Sequence, residues 1–261
     1  MEKLYASVGS MISVVTTFSP RGYEVYGRRF LESFEKHWPD DVGLFVFHEG
    51  EKPDDATERA IWRPLDADKD RARFMAEHKD PENGDYRTRA VMYSHKVWAM
   101  TSAPRGSDHL FWLDADSVTI APVTNEILEQ LCADPGQVGA YLARPYYRYT
   151  ETGFLSFSMK AGGGDFLDQF RKAYILGDVF NLSELHDCMV FDWVRRKFER
   201  AGYRWKNLCP TARSSNVFEQ SPLKNIVTHN KGPVRKEKVY GAHMVPGLTG
   251  HLKDHVRQDI Q

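Results

Sequence analysis

Apolar runs and amphipathic segments alternate along the first half of the chain. Residues 11–17, 42–48 and 109–113 are rich in β-branched and aromatic residues, as buried strands are. Between them, residues 25–37 and 89–101 carry apolar side chains at the three-to-four-residue spacing of a helix. Strands without polar alternation are typical of a parallel sheet covered by helices on both faces. The pattern therefore predicts an α/β fold with a mainly parallel sheet.

The second half of the chain continues this pattern less regularly. Helices are predicted over residues 125–132, 165–176 and 185–201, and strands over residues 138–143 and 154–159. The residues beyond 201 show no clear periodicity, so a loop-rich C-terminal segment is expected.

Residues 54–85 interrupt the alternation. They contain ten acidic and six basic residues, together with Pro64, Pro81 and Gly84, and few large apolar ones. This composition predicts a solvated loop or a loosely packed helical insertion without a core of its own.

Composition and charge narrow the class of protein. The 261 residues are 41% hydrophobic and 27% charged, which excludes a disordered or fibrous chain. The formal net charge of -1 provides no global attraction to nucleic acid or to an anionic membrane, so any anion site must be local.

Cysteine usage and hydropathy favour a cytoplasmic protein. Cys132, Cys188 and Cys209 are odd in number and never form a CxxC pair, which argues against a disulfide framework or a structural zinc site. No stretch reaches the roughly 18 apolar residues of a membrane span, so none is expected.

The clearest chemical signal is a pair of carboxylates after the third predicted strand. Residues 111–116 read FWLDAD, which places Asp114 and Asp116 at the carboxyl end of a buried strand, where open α/β sheets bind ligands. Carboxylate oxygens suit Mn²⁺ or Mg²⁺, which bridge diphosphates. The same tripeptide occurs at residues 66–68 without a preceding apolar strand, and there it is interpreted as solvated.

A basic segment lies near the end of the chain. It holds Lys224, Lys231, Arg235, Lys236 and Lys238 against one acidic residue, and glycine and proline interrupt it. Such a loop suits a phosphate, although a solvated surface run is the simpler alternative.

The carboxylate pair after a strand resembles the DxD motif of GT-A nucleotide-sugar glycosyltransferases. Residues 228–236, THNKGPVRK, are similar to the late histidine, glycine and lysine motif of glycosyltransferase family 8, which includes glycogenin-like and bacterial galactosyltransferase-like enzymes. The resemblance implies a single GT-A domain over residues 1–261. Its nucleotide-sugar-binding part would cover about 11–120, and its acceptor side about 121–261.

The resemblance also implies roles for individual residues around the donor diphosphate. Asp114, Asp116 and His229 would bind the metal, with Asp114 also near the donor ribose. Lys231, Gly232 and Lys236 would approach the diphosphate. The family spacing is usually His-x-x-Gly-x-x-Lys, whereas here the lysine comes one position later, after Arg235.

Five further positions are assigned by the same resemblance. Asp187, before an apolar helix, would contact the donor sugar or activate the acceptor hydroxyl, and capping of that helix is the alternative. Cys188 follows it where many relatives carry glutamine. Arg89 and Lys96 would contact the donor, or else be exposed helix cations. Thr16 and Thr17, at the end of the first strand, would hold the nucleotide base through their backbone.

The expected function is therefore metal-dependent transfer of a sugar from a nucleoside diphosphate, with UDP as the expected carrier, to a hydroxyl acceptor. The acceptor classes considered are a glycan, a small molecule and a nucleic acid with a modified base. An aspartate beneath the anomeric carbon would give inversion, whereas the family-8 resemblance implies retention.

Two alternatives come from other classes of protein. Residues 114–118, DADSV, also match the DxDx[TV] motif of haloacid-dehalogenase-like phosphatases, in which the first aspartate attacks phosphate. That motif normally follows the first strand of its domain. A non-catalytic carbohydrate- or nucleic-acid-binding module is the second alternative.

Overall fold

The computed structural model describes residues 11–145, 147–214 and 216–230. Nine strands lie within these ranges: β1 (Ile12–Phe18), β2 (Gly43–His48), β3 (Ile61–Pro64), β4 (His109–Leu113), β5 (Ser117–Thr119), β6 (Gln137–Leu142), β7 (Glu151–Ser158), β8 (Arg204–Asn207) and β9 (Val227–His229). Seven of them form one sheet in the order β3-β2-β1-β4-β7-β6-β8, and β5 and β9 form a separate pair.

The large sheet is mainly parallel, as the sequence predicted. β1 pairs in parallel with β2 and β4, β2 with β3, and β6 with β8. Only β7 runs antiparallel to its neighbours β4 and β6. The chain leaves β1 toward β2 on one side and returns to β4 on the other. The carboxyl ends of β1 and β4 therefore border the crevice where such sheets bind ligands.

Helices cover both faces of this sheet. They are α1 (Pro20–Gly22), α2 (Arg28–His37), α3 (Lys69–Glu77), α4 (Ala90–Ser102), α5 (Asn125–Leu131), α6 (Gly163–Ile175) and α7 (Asp187–Arg200), and a π-helical turn (Tyr23–Gly27) joins the first two. None of these described helices is long and apolar enough to cross a membrane.

The sheet has one hydrophobic core on each face. Neighbouring residues along a strand contribute to these two cores alternately. Val14 packs with α2 and α5 on one face, whereas its neighbour Val15 packs with α4, α6 and α7 on the other. In β4, Phe111 packs into the same core as Val14, and Trp112 packs into the same core as Val15. Because both faces are buried, each strand is apolar throughout, and this explains the continuous apolar runs.

The prediction of a solvated or loosely packed segment at residues 54–85 was wrong, although the segment forms no core separate from those of the sheet. β3 extends the sheet beside β2, and α3 inserts Phe74 against Trp98 and Tyr174 of the main core. Leu65 is also buried. Leu65 and Phe74, with the partly buried Trp62 and Met75, complete cores that other elements provide.

The described residues beyond 201, up to residue 230, are mostly irregular, but two short strands among them were not predicted. β8 pairs in parallel with β6, and β9 pairs antiparallel with β5. The second pairing sets Ser117 opposite His229 and so brings the end of the described chain to the carboxylates that follow β4.

Candidate active site

Asp114, Asp116 and His229 converge at the carboxyl end of β4. A turn closed by the Ser117 amide, which donates to the Asp114 carbonyl over 3.0 Å, presents the two carboxylates. Nε2 of His229 lies 3.1 Å from Oδ1 of Asp116 and 3.5 Å from Oδ2 of Asp114. One ligand atom from each residue lies within 4.8 Å of the others. The structure thus brings together all three predicted metal ligands.

This donor set fits a divalent cation. Two carboxylates and an imidazole are ligands that Mn²⁺ accepts, and Mg²⁺ accepts the oxygens. Neighbouring ligands in an octahedron with bonds of about 2.1 Å lie about 3 Å apart, close to the His229 distances given above.

Two residues fix the ring of His229. Phe218 packs against it with ring centroids 4.7 Å apart. On another side lies Gly153, where a Cβ atom would come within 2.6 Å of Cε1 of His229. The Gly153 carbonyl also accepts a hydrogen bond of 2.9 Å from the Asp114 amide. Gly153 therefore contacts two of the three candidate ligands.

The electrostatics of the site are dominated by its carboxylates. Burial alone would lower the pKa of His229, but Asp116 and Asp114 raise it to about 9. The imidazole must lose that proton before it can bind a metal, so proton and cation compete for this site.

Lys96 connects this cluster to Asp187. Its side chain is 12% exposed, and Nζ lies 2.8 Å from Oδ1 of Asp114 and 3.0 Å from Oδ2 of Asp187. It also donates to the Thr152 carbonyl over 2.6 Å. Burial would lower the pKa of Lys96, but the two carboxylates hold it well above its usual range. Lys96 therefore remains a cation between the two aspartates.

Only one oxygen of Asp114 faces His229. Oδ1 accepts hydrogen bonds from Nε1 of Trp112, over 2.7 Å, and is paired with Lys96. Burial favours the protonated form of Asp114, but the charge of Lys96 and the contact with His229 hold its pKa well below the usual range. Oδ2 is the oxygen that faces His229.

Asp187 begins α7 but does not cap it. The N-cap is His186, whose Nδ1 accepts a hydrogen bond of 3.3 Å from the Met189 amide. Oδ2 of Asp187 instead accepts from Oγ1 of Thr152 over 2.5 Å and faces Lys96. The capping explanation for Asp187 was therefore wrong, because the preceding residue performs that task.

A cleft of about 400 Å³ runs along the carboxyl ends of the strands, from Asp114 and Asp116 to Thr17 and Glu49. Lys96 lines it as well. Thr16 is fully buried, and the hydroxyl of Thr17 donates to the Phe47 carbonyl over 2.7 Å.

Arg89, another predicted donor contact, does not line this cleft. Arg89 precedes α4, and its Nε donates to the Gly84 carbonyl over 3.1 Å, outside the residues that line the cleft. Lys231, Gly232 and Lys236 lie outside the described residues.

The second DAD tripeptide serves a structural purpose. Asp68 caps α3 by accepting from the Arg71 amide over 3.0 Å and binds Arg171 over 2.7 Å. Asp66 binds the Arg71 side chain over 2.6 Å. Asp68 is 11% exposed, so the expectation of solvated carboxylates was wrong for that residue.

Sequence reasoning missed Gly153, Thr152, Phe218 and Glu49. Glu49 alone carried a usable signal, since an acidic residue directly follows the predicted strand over residues 42–48.

No family model matches this chain, and no curated protein matches it. Its fold is similar to that of solved glycosyltransferases. The bifunctional glycosyltransferase WbbM superposes with a TM-score of 0.52 and 12% identity over 88% of this chain and 47% of the WbbM chain, so this chain spans about half of that protein.

Two structures of LgtC are also similar. An active-site mutant gives a TM-score of 0.51 with 13% identity, covering 85% of this chain and 88% of LgtC. Galactosyltransferase LgtC in complex with donor and acceptor sugar analogs gives 0.51 with 10% identity, covering 92% and 96%. The mixed, mainly parallel sheet with helices on both faces is therefore the GT-A fold, as predicted.

Proposed function

We propose that this chain is a metal-dependent glycosyltransferase that transfers a sugar from a nucleoside diphosphate, with a UDP-sugar as the expected donor, to a hydroxyl acceptor. The observation that carries the proposal is the convergence of Asp114, Asp116 and His229 in a cleft at the carboxyl end of β4, joined to Asp187 through Lys96. The GT-A fold supports it, as does the resemblance of residues 228–236 to the late motif of glycosyltransferase family 8.

The first role is charge neutralisation at the leaving group. Asp114, Asp116 and His229 would hold Mn²⁺ or Mg²⁺, which when bound stabilises the negative charge of the departing diphosphate. Lys231, Gly232 and Lys236 lie in the segment that follows His229 in the sequence, and we assign this segment to the same diphosphate.

The second role belongs to Asp187. Lys96 and Thr152 both hold its Oδ2, which fixes the orientation of the carboxylate. Its Oδ1 faces only the thiol of Cys188, 3.9 Å away, among the described residues. We assign Oδ1 to a hydroxyl of the donor sugar or of the acceptor. The likeness to family 8 implies retention of the anomeric configuration.

The phosphatase alternative has less support. Asp114 follows the fourth strand in chain order rather than the first, and Lys96 and Trp112 already engage one of its oxygens. A nucleophile for phosphate needs that carboxylate accessible. For a binding module, the paired placement of Lys96 and Asp187 beside the cleft would have no use.

Calorimetry with UDP, GDP, ADP and CDP, with and without Mn²⁺, tests the donor site. We expect one diphosphate to bind in a metal-dependent manner, and Asp116→Asn to weaken that binding at least tenfold. Asp66→Asn is the matched control, since Asp66 occupies the first position of the other DAD tripeptide outside the cleft. Wild-type protein that is folded yet binds none of the four overturns the proposal.

A second measurement separates an enzyme from a binding module. Incubation with the sugar ester of the bound diphosphate should release that diphosphate slowly by hydrolysis, and Asp187→Asn should abolish the release while preserving diphosphate binding. Binding without any turnover, even with a panel of hydroxyl acceptors, favours the module.

A further inference from the structure

The cleft has a third carboxylate, that of Glu49, at the end opposite to Asp114 and Asp116. Glu49 is the first residue after β2, its side chain is 25% exposed, and it lines the same cleft. β1 lies between β2 and β4. Two strand spacings therefore separate the two acidic ends, a distance of about 10 Å across the sheet.

Glu49 has charged neighbours but receives no hydrogen bond from the described part of the chain. Oε2 lies 3.2 Å from Nδ1 of His95 and 3.6 Å from Nη2 of Arg71. Arg71 makes its short contact, of 2.6 Å, with Asp66 instead. The carboxylate of Glu49 thus faces the cleft as an acceptor.

His95 cannot be the donor that Glu49 lacks. Its Nδ1 lies 3.2 Å from Nη2 of Arg71, and a guanidinium only donates, so Nδ1 is an acceptor. Burial and the charge of Arg71 lower the pKa of His95 to about 4, which keeps the ring neutral. A neutral ring with an accepting Nδ1 has no proton there to give to Glu49.

At the Glu49 end of the cleft, the hydroxyl that β1 contributes is already engaged. The hydroxyl of Thr17 is used within the sheet, where it donates to Phe47. Phe18, Tyr26 and Met92 line the same cleft. These side chains provide ring and apolar surface beside a hydrogen-bond acceptor, which is the combination that a nucleoside requires.

We propose that Glu49 accepts hydrogen bonds from the ribose hydroxyls of the donor nucleoside diphosphate. This inference rests on the proposed function. A carboxylate repels phosphate, so this end of the cleft suits the uncharged part of the ligand while the diphosphate lies at Asp114 and Asp116. The vicinal 2′ and 3′ hydroxyls offer two donors to one carboxylate. An acidic residue at the end of the corresponding strand binds ribose in dinucleotide-binding sheets.

The test combines a change in the ligand with a change in the protein. Affinities for the preferred nucleoside diphosphate and its 2′-deoxy and 3′-deoxy analogues are measured with Mn²⁺ for the wild type, Glu49→Gln and Glu51→Gln. Glu51 is exposed and lies outside the cleft, so its variant is the matched control. Thermal unfolding verifies that each variant is folded.

We expect at least one deoxy analogue to bind the wild type roughly 10- to 100-fold more weakly, the size of a hydrogen bond to a charged group. Glu49→Gln should lose a similar factor for the ribonucleotide and discriminate much less against the deoxy analogue. Glu51→Gln should match the wild type. The wild-type comparison alone needs no variant to fold.

Three outcomes overturn the inference, and they differ from one another. Equal wild-type affinity for the ribonucleotide and both deoxy analogues shows that the ribose is not bound through its hydroxyls. An unchanged preference for the ribonucleotide in Glu49→Gln shows that another group binds them. Wild-type protein that binds no nucleoside diphosphate removes the proposed function as well.

Discussion

The ring of His229 lies directly against the backbone of Gly153. A Cβ atom at position 153 would come within 2.6 Å of Cε1 and 3.0 Å of Nδ1 of that ring. His229 cannot move far on its other side, since Phe218 packs there at 4.7 Å between ring centroids. The absence of a side chain at position 153 therefore sets where the imidazole sits relative to Asp114 and Asp116.

Gly153→Ala should displace His229 and weaken Mn²⁺ binding. The added methyl group forces the ring or the backbone of β7 to shift, and overpacking of this kind typically costs 1–3 kcal/mol. We expect at least a tenfold weaker affinity for Mn²⁺, measured by electron paramagnetic resonance of the free ion. Gly106→Ala is the control, because nothing lies within 4 Å of a Cβ there. Equal Mn²⁺ affinity in the two variants would show that His229 is not a ligand.

Substitution in the two DAD tripeptides should affect stability to different extents. Asp68→Asn removes the charge that Arg171 and the start of α3 contact, so we expect a loss of about 1–3 kcal/mol in the free energy of unfolding. Asp116→Asn weakens the pair with His229 but leaves Asp114 beside the imidazole, so we expect a smaller loss. Urea unfolding in the presence of EDTA measures both. A larger loss for Asp116→Asn would contradict the structural assignment of residues 66–68.

Acid should destabilise the protein partly through Asp68. Burial raises the pKa of this carboxyl, but hydrogen bonds from Arg171, the Arg71 amide and Ser102 bring it below its usual value. Because the pKa is depressed in the folded state, the stabilisation is present above the unfolded pKa of about 4 and is lost as the pH falls through the folded pKa.

The urea midpoint of the wild type should therefore drop below about pH 4, and Asp68→Asn should show a flatter profile in that range. The slopes of the two curves of urea midpoint against pH are compared. The other carboxyls titrate in both proteins, so their contributions to the slope cancel to first order. Parallel curves would mean that Asp68 has the same pKa in both states.

The sequence predicted those features of the site that depend on local pattern. Asp114 and Asp116 follow a run of apolar residues long enough to identify a strand, and the fold class follows from such runs. β3, β8 and β9 have three or four residues each, too few to show a period. His229 was identified through a resemblance, since nothing local indicates that β9 pairs with β5.

Pattern analysis could not predict contacts between elements that are far apart in the sequence. Nothing in the sequence around Gly153 indicates that a histidine from β9 packs against it. Lys96 was predicted as a donor contact, but its bridging of Asp114 and Asp187 depends on how α4, β4 and α7 pack together. The capping of α7 by His186 likewise required the side-chain geometry.

Lys96 is expected to be the most sensitive of these residues. Its removal leaves Asp114 and Asp187, both of which face Nζ within 3.0 Å, without a cation between them. Breaking a buried ion pair by deleting one partner typically costs 3–5 kcal/mol, because the other charge remains buried. Lys96→Met should therefore lower the free energy of unfolding by about that amount in EDTA.

A second substitution tests whether charge, rather than packing, causes the loss. Asp187→Asn should recover part of the stability of Lys96→Met, since it removes one of the two uncompensated charges, although alone it should destabilise by roughly 1–3 kcal/mol. Lys172→Met, at an exposed position of α6, controls for the loss of a lysine. If the two losses simply add, the carboxylates do not interact through Lys96. A double variant that is more stable than Lys96→Met alone would show that Lys96 neutralises Asp114 and Asp187 together.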